Sequence, residues 1–125
     1  MFHNPLLIVV IPAFNELSLL PVLNSLKDAS LKRIPTQIIV VFNAAENSSE
    51  EIKNRNKNAY QEVVQWKSNA SSDFFQVQPE LYQELNVKKA GVGLARKLGM
   101  DMAANIFSDS GNNGVIVCLD ADCLV

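Results

Sequence analysis

The segment LLIVVIPAFNE, residues 6–16 of the 125-residue chain, decides the fold. Its first six residues form an apolar run rich in β-branched side chains and ended by Pro12. This pattern is typical of a strand buried on both faces of a parallel sheet. The next five residues, PAFNE (12–16), predict a loop at the carboxyl end of that strand. The segment therefore indicates an α/β domain, in which such loops carry the ligand site.

The chain after this segment alternates helices and strands. LLPVLNSLKDA, which Ser18 precedes, has leucines at helical spacing and predicts a first helix. QIIVVF, residues 37–42, predicts a second buried strand. Ser48 and Glu51 have the spacing of a capping box, so we expect a second helix that runs to about Trp66.

The second half of the chain continues the alternation after a long interruption. Residues 67–86 are polar and predict a loop with at most a short strand at 74–77. A third helix begins at Val92, where apolar residues recur on one helical face, and VIVCL (115–119) predicts a third buried strand. We therefore expect one domain over residues 1–125, a three-layer α/β sandwich with a mostly parallel sheet.

Three polar segments follow the predicted strands: PAFNE (12–16), NAAEN (43–47) and DAD (120–122). They should converge, because the carboxyl ends of parallel strands meet at one edge of a sheet. In an extended segment Asp120 and Asp122 would point the same way, and could hold one divalent cation or share it with a ribose hydroxyl. Magnesium held by one or two carboxylates usually completes its shell with water and phosphates. This pattern indicates a nucleoside diphosphate as ligand.

Composition excludes several classes of function. The net charge is −2, the pI is near 5.3, and no basic cluster is evident, so nothing indicates a nucleic-acid partner. Cys118 and Cys123, with His3 as the one histidine, form neither a zinc motif nor a disulfide framework. The sequence shows no signal peptide and no apolar run near the ~18 residues of a membrane span. A cytoplasmic protein without a membrane segment is expected.

Three motifs together resemble a known family. VVIPAFNE (9–16), GVGLARKLGMDMA (91–103) and VIVCLDADCLV (115–125) occur in the order and spacing of a family 2 glycosyltransferase. The matching region is the amino-terminal, nucleotide-sugar-binding half of the GT-A fold. The resemblance implies a nucleoside-diphosphate sugar as donor, Mg²⁺ or Mn²⁺ as cofactor, and transfer of the sugar to an acceptor that the sequence does not identify.

The resemblance also implies roles for the residues of the first loop. There the nucleoside pocket would be lined by Pro12, Ala13, Phe14, Asn15 and Glu16. Backbone groups of Ala13 and Phe14 would lie near the base, and Glu16 near the ribose.

The remaining implied site residues lie further along the chain. Asn43 stands where the family usually has the second of two aspartates, which contacts the base. Arg96 would lie near the nucleotide. In the DAD turn Asp120 would lie near the ribose or the metal, Ala121 beside the nucleotide, and Asp122 on the divalent ion that bridges the diphosphate.

The sequence departs from the family pattern at two places. FNAAEN lacks the usual acidic pair and glycine, which leaves the base open, and Lys97 replaces the asparagine that commonly follows the arginine. No catalytic residue is expected in this chain, because the family's general base would lie beyond Val125. We therefore expect a fragment truncated after the DxD motif, whose exposed apolar face would favour a homodimer.

Other interpretations use the same residues. IVCLDADCLV also resembles the first motif of haloacid-dehalogenase-type phosphatases, with Asp120 as nucleophile and Asp122 as acid, although that family carries it on the first strand. A non-catalytic nucleotide- or metal-binding module is a further alternative. Purely structural roles are another alternative: the two aspartates could cap a helix, and PAFNE could be an ordinary turn. Gly91 and Gly93 are expected to allow close helix packing.

Overall fold

The computed structural model of the chain describes residues 4–29, 34–72, 74–111 and 113–122. Four strands alternate with three helices in the described residues. None of these three helices has the length and hydrophobicity needed to cross a bilayer. The elements in chain order are β1 (Leu7–Ala13), α1 (Leu20–Ala29), β2 (Thr36–Ala45), α2 (Glu50–Ala70), β3 (Phe75–Leu85), α3 (Val92–Ser110) and β4 (Val115–Cys118).

The four strands form one parallel sheet in the order β3-β2-β1-β4, with helices on both faces. On one face Val9 and Ile11 of β1 pack in a cluster with Val63 of α2 and with side chains of α1. On the other face Val10 of β1 packs in a second cluster with Ala95 of α3. Successive residues of β1 thus serve opposite layers. The predicted three-layer α/β fold is confirmed.

Pro12 does not end β1 as predicted; it ends only the pairing of β1 with β4. The N–H groups of Val115 and Leu119 donate to the carbonyls of Leu6 and Val10, so even-numbered residues of β1 face β4. Pro12 comes next on that side and has no N–H to donate. Pairing with β2 continues at Pro12 and the residue after it. The proline therefore releases the chain after Leu119 from the sheet.

The β2 strand and the α2 helix extend beyond their predicted bounds. Asn43, expected in a loop, lies within β2 and is 2% exposed. The N-cap of α2 is Ser49, not Ser48, because the Ser49 side chain accepts the hydrogen bond of the Ile52 N–H. The helix then continues to Ala70. The turn between the two elements is therefore shorter than the sequence suggested.

The loop expected at residues 67–86 is wrong, because this segment contains the end of α2 and the whole of β3. β3 is an edge strand, which explains its polar sequence. Thr36 N–H donates to Phe74 O, and the register stays constant from there past Pro79. Pro79 consequently directs its nitrogen toward the open edge, where no ladder hydrogen bond is lost.

β4 is buried on one face only, which corrects the prediction of a fully buried strand. Val115 is 59% and Val117 40% exposed. Val117 pairs with Val9, so both exposed valines lie on the α1/α2 face. Ile116 and Cys118 point the other way and pack against the α3 cluster. The difference arises because β4 is the second edge of the sheet.

Gly99 lies where α3 crosses the sheet. A Cβ added at Gly99 would overlap Val10 Cγ1 and lie 3.2 Å from Val41 Cγ2. A Cβ at Gly91 or Gly93 would meet nothing within 4 Å, so the predicted packing role of these two glycines is wrong. Close approach of α3 to β1 and β2 depends on Gly99 instead.

Gly99→Ala should lower the free energy of unfolding by up to about 2 kcal/mol. Overpacking a filled core costs about 1–3 kcal/mol, and the ~1 kcal/mol that alanine contributes over glycine in a helix offsets part of this cost. Gly93→Ala, exposed in the first turn of the same helix, is the matched control and should be neutral or stabilising. Urea unfolding measures both. Equal stability of the two variants would contradict the close packing at Gly99.

Candidate functional site

Three segments meet at the carboxyl edge of the sheet: the PAFNE loop after β1, the end of β2 and the DAD turn after β4. β1 lies between β2 and β4, so its loop is the middle one of the three. The start of α3 joins them through Arg96, which contacts the DAD turn. This edge is the place where open parallel sheets bind ligands.

The DAD turn presents both of its carboxylates to solvent. Leu119 and Ala121 pack against the cluster on the α1/α2 face, while Asp120 and Asp122 are exposed. Ala121 and Asp122 form a turn, so the predicted extended segment is wrong, while the shared direction of the two carboxylates stays a prediction. The turn is possible because Pro12 ends the pairing between β1 and β4.

Arg96 and Asp120 form an ion pair across the site. Nη2 of Arg96 lies 3.8 Å from Oδ1 of Asp120, and the two side chains are 43% and 68% exposed. A solvent-exposed pair at this distance adds little stability, about 0–1 kcal/mol. Nε of Arg96 is buried and has no hydrogen-bond partner in the part of the chain that the structure describes. The exposed part of the guanidinium has N–H groups besides those nearest Asp120, and these can donate to a further acceptor.

The PAFNE loop turns sharply at Asn15, whose φ is 55°. Asparagine tolerates this left-handed conformation better than most residues do. Its N–H donates to Oδ1 of Asn56 at 2.9 Å, while its own Oδ1 is buried and lacks a partner among the described residues. Phe14 is 49% exposed and Glu16 is half-buried. The loop is thus held through the backbone N–H of Asn15, while the side chains of Phe14 and Glu16 stay partly exposed.

Asn43 joins the ends of β1 and β2. Its Nδ2 donates to Ala13 O at 2.8 Å, and the backbone carbonyl of Asn43 accepts from Nδ2 of Asn56 at 2.9 Å. Ala13 is 1% exposed and Pro12 is also buried, so these two residues support the loop from below. The carboxamide orientation of Asn43 follows from its partner, because a backbone carbonyl can only accept.

A cavity of about 300 Å³ opens at this edge, a size within the range of small-molecule sites. Phe14 and Asn43 are the two predicted site residues that line it. Its other walls come from the turn after β2 and from the segment between β3 and α3. These additional lining residues are Ala45, Asn47, Ser48, Val87, Ala90 and Gly91.

Gly91 is the functional residue for which sequence reasoning gave the wrong role. Its φ of 137° lies in the region that favours glycine, and it forms the cavity wall where α3 begins. The signal in the sequence was the GVG before the helix, which indicates a special backbone. Val87 and Ala90 carried no such signal, because their position depends on the strand β3 that the sequence did not reveal.

Asp120 and Asp122 are the residues of the site that could hold a divalent cation. The described residues contain no group of three or more histidine, cysteine or carboxylate side chains placed to hold a metal. Magnesium is commonly bound by one or two carboxylates together with substrate phosphates. The donor set therefore fits a metal that arrives with, or is completed by, a diphosphate.

Tyr82 is the described residue whose acidity the fold clearly changes. It pairs with Asn43 in the sheet and packs against the α3 cluster. Burial, with a smaller contribution from the negative charge of Glu80, raises the pKa of the Tyr82 hydroxyl above its ordinary 10.0. The hydroxyl is therefore protonated near neutral pH and can donate a hydrogen bond.

The fold defines a class: a Rossmann-like α/β unit with an all-parallel sheet, consistent with one half of the GT-A fold. Solved structures of S. aureus TarS, a glycosyltransferase, share this architecture. The TarS 1–349 structure superposes with a TM-score of 0.53 at 19% identity over 93% of this chain. The TarS complex with UDP gives the same values, and the complex with UDP-GlcNAc gives 0.51 at 18% identity.

The chain covers 27% of the TarS 1–349 chain, so the likeness concerns about a quarter of that protein. At 19% identity it establishes the fold. No protein-family profile and no curated protein sequence matches the chain.

Proposed function

We propose that this chain is the donor-binding part of a family 2-like glycosyltransferase and that it binds a uridine diphosphate sugar with Mg²⁺ or Mn²⁺. The observation that carries the proposal is the juxtaposition, at one sheet edge, of an open cavity, two exposed carboxylates and an arginine. A nucleoside diphosphate has a matching series of groups: a flat base, a ribose and a charged diphosphate. TarS has been crystallised with UDP and with UDP-GlcNAc, which supports uracil as the base.

In this proposal the cavity takes the base. The half-exposed ring of Phe14 offers an aromatic face for it, and Asn43 lies in the cavity wall. Glu16 of the PAFNE loop is proposed to contact the ribose.

The DAD turn and Arg96 take the diphosphate. Asp122 and Asp120 would hold the divalent cation, and a bound cation stabilises the negative charge that develops on a leaving phosphate. Arg96 is paired with Asp120 through an exposed contact, so its guanidinium can donate to phosphate oxygens at small cost. We propose no residue of this chain as the general base that would deprotonate the acceptor hydroxyl.

A thermal-shift panel of UDP, GDP, CDP and dTDP, each with and without Mn²⁺, tests the proposal. A ligand that binds the folded state raises its stability by about 2.7 kcal/mol at a hundredfold excess over the dissociation constant. We expect the largest rise in melting temperature with UDP and Mn²⁺, and a smaller one with UDP alone. The absence of any nucleotide-dependent shift, or an equal shift for all four without metal, would contradict the proposed donor site.

A further inference from the structure

Asn56 of α2 is a buried polar residue beneath the PAFNE loop. It is 1% exposed, and its carboxamide makes three hydrogen bonds. Oδ1 accepts from the N–H of Asn15 at 2.9 Å, and Nδ2 donates to the carbonyl of Asn43 at 2.9 Å. Nδ2 also donates to Oε1 of Gln83 at 3.2 Å. One side chain therefore connects the loop after β1, the end of β2 and the edge strand β3.

The orientation of this carboxamide is fixed by its partners. A backbone N–H can only donate and a backbone carbonyl can only accept, so Asn56 must direct Oδ1 toward Asn15 and Nδ2 toward Asn43. An alanine at this position would leave both backbone groups without the partner. An aspartate would place an oxygen against the Asn43 carbonyl. Asparagine is the side chain of this size that satisfies both sides at once.

A bulge in β3 completes the arrangement. The pairing between β2 and β3 shifts by one residue between Asn43↔Tyr82 and Ala45↔Leu85. Gln83 lies within this irregular stretch, and its Nε2 donates to the carbonyl of Lys53 in α2 at 2.9 Å. Bulges commonly re-aim a side chain next to functional sites. Here Gln83 is aimed at α2 and holds the Asn56 carboxamide from the side opposite the loop.

We infer that Asn56 is a positioning residue of the nucleotide site, which fixes the PAFNE loop in the conformation that binds the nucleoside. Asn15 needs such a hold, because its φ of 55° is a conformation that few non-glycine residues adopt. Asn56 bonds to the loop backbone and lines no wall of the cavity, so it acts through Asn15 and Asn43. The inference rests on the proposed nucleotide site.

Two readouts on Asn56→Ala test this role: hydrogen exchange of the Asn15 amide by NMR, and the dissociation constant of UDP with Mn²⁺. Loss of a buried hydrogen bond of about 1.4 kcal/mol corresponds to about a tenfold change in an equilibrium constant. We expect the Asn15 amide to exchange about tenfold faster and UDP to bind about tenfold more weakly. Val63→Ala is the control, since it creates a cavity in the same helix two turns away and removes an apolar side chain that cannot hydrogen-bond to the loop.

The control separates positioning from general destabilisation. Val63→Ala should unfold more easily than the wild type yet keep both readouts within about twofold of it. If Asn56→Ala does not fold, Gln83→Ala replaces it, and smaller changes in the same direction are expected. Equal exchange and equal UDP affinity in the Asn56 and Val63 variants would overturn the inference. If the wild type binds no UDP, the proposed function fails, and the exchange comparison alone decides whether Asn56 holds the loop.

Discussion

Asp122→Asn should weaken the binding of UDP in the presence of Mn²⁺ by at least about tenfold, since changes to residues that only support a metal ligand already cost 10- to 100-fold. The substitution keeps the size of the side chain and removes one of the two carboxylates that the site offers to a cation. Without Mn²⁺ the variant and the wild type should bind UDP equally. Titration calorimetry at fixed ionic strength measures each dissociation constant.

Asp109→Asn is the matched control for the Asp122 variant. It removes the same charge from an exposed aspartate near the last turn of α3, at the opposite end of the helix from Arg96. We expect unchanged affinity there. Asp122 is exposed, so its replacement should alter the free energy of unfolding by no more than about 0.5 kcal/mol. Equal loss of affinity in the two variants would mean that only net charge matters and would contradict a metal site at the DAD turn.

Asn43→Asp should destabilise the protein at pH 7 by about 2–4 kcal/mol, because it introduces a buried carboxylate without a hydrogen-bond donor in place of Nδ2. The new oxygen would face the Ala13 carbonyl, which now accepts from Asn43 at 2.8 Å. Two acceptors in contact favour the protonated carboxyl, so burial and this carbonyl should raise its pKa in the folded state above the ~3.9 of an unfolded aspartate.

The sign of the pH dependence follows from that shift. At a pH between the unfolded-state and the folded-state pKa of the new carboxyl, the folded state binds more protons than the unfolded state. The free energy of unfolding therefore falls as the pH rises. The loss of unfolding free energy relative to wild type should therefore be small near pH 4 and grow toward neutral pH. Asn47→Asp, on an exposed position of the cavity rim, is the control and should show no such trend. Urea unfolding at pH 4.5 and 7 measures both, and an equal deficit at the two values would contradict the contact between Asn43 and Ala13.

Sequence patterns sufficed for the parts of the molecule whose environment is uniform. β1 and β2 are buried on both faces, so their apolar runs indicated strands in a parallel sheet, and the loops that follow them were placed at the ligand edge. β3 was missed because an edge strand tolerates polar residues and a proline such as Pro79. The apolar sequence of β4 predicts a buried strand, because it does not reveal that Val115 and Val117 face an uncovered side.

The supporting residues of the site could not be found from sequence. Asn56 lies in a polar stretch of α2, where an asparagine usually faces solvent, and its buried position against β2 and β3 is a tertiary contact that the sequence does not show. Asp120 and Asp122 were found through their spacing, but the segment predicted to be extended contains a turn, because Pro12 ends the β4 pairing one residue before them. Local motifs thus identified groups that can contact a ligand, and tertiary contacts decide how they are held.

Paramagnetic broadening of amide signals by Mn²⁺, recorded with and without UDP, tests whether metal and nucleotide bind together at the carboxyl edge of the sheet. α3 serves as a ruler, because Arg96 near its start and Asp109 near its end are separated by about 20 Å of helix at 1.5 Å per residue. We expect Mn²⁺ with UDP to broaden the amide signals of Asp120, Asp122, Phe14 and Arg96 and to leave the amide signal of Asp109 sharp. Broadening that is the same with and without UDP, or that affects Asp109 as strongly as Arg96, would contradict a metal and nucleotide site at the carboxyl edge of this sheet.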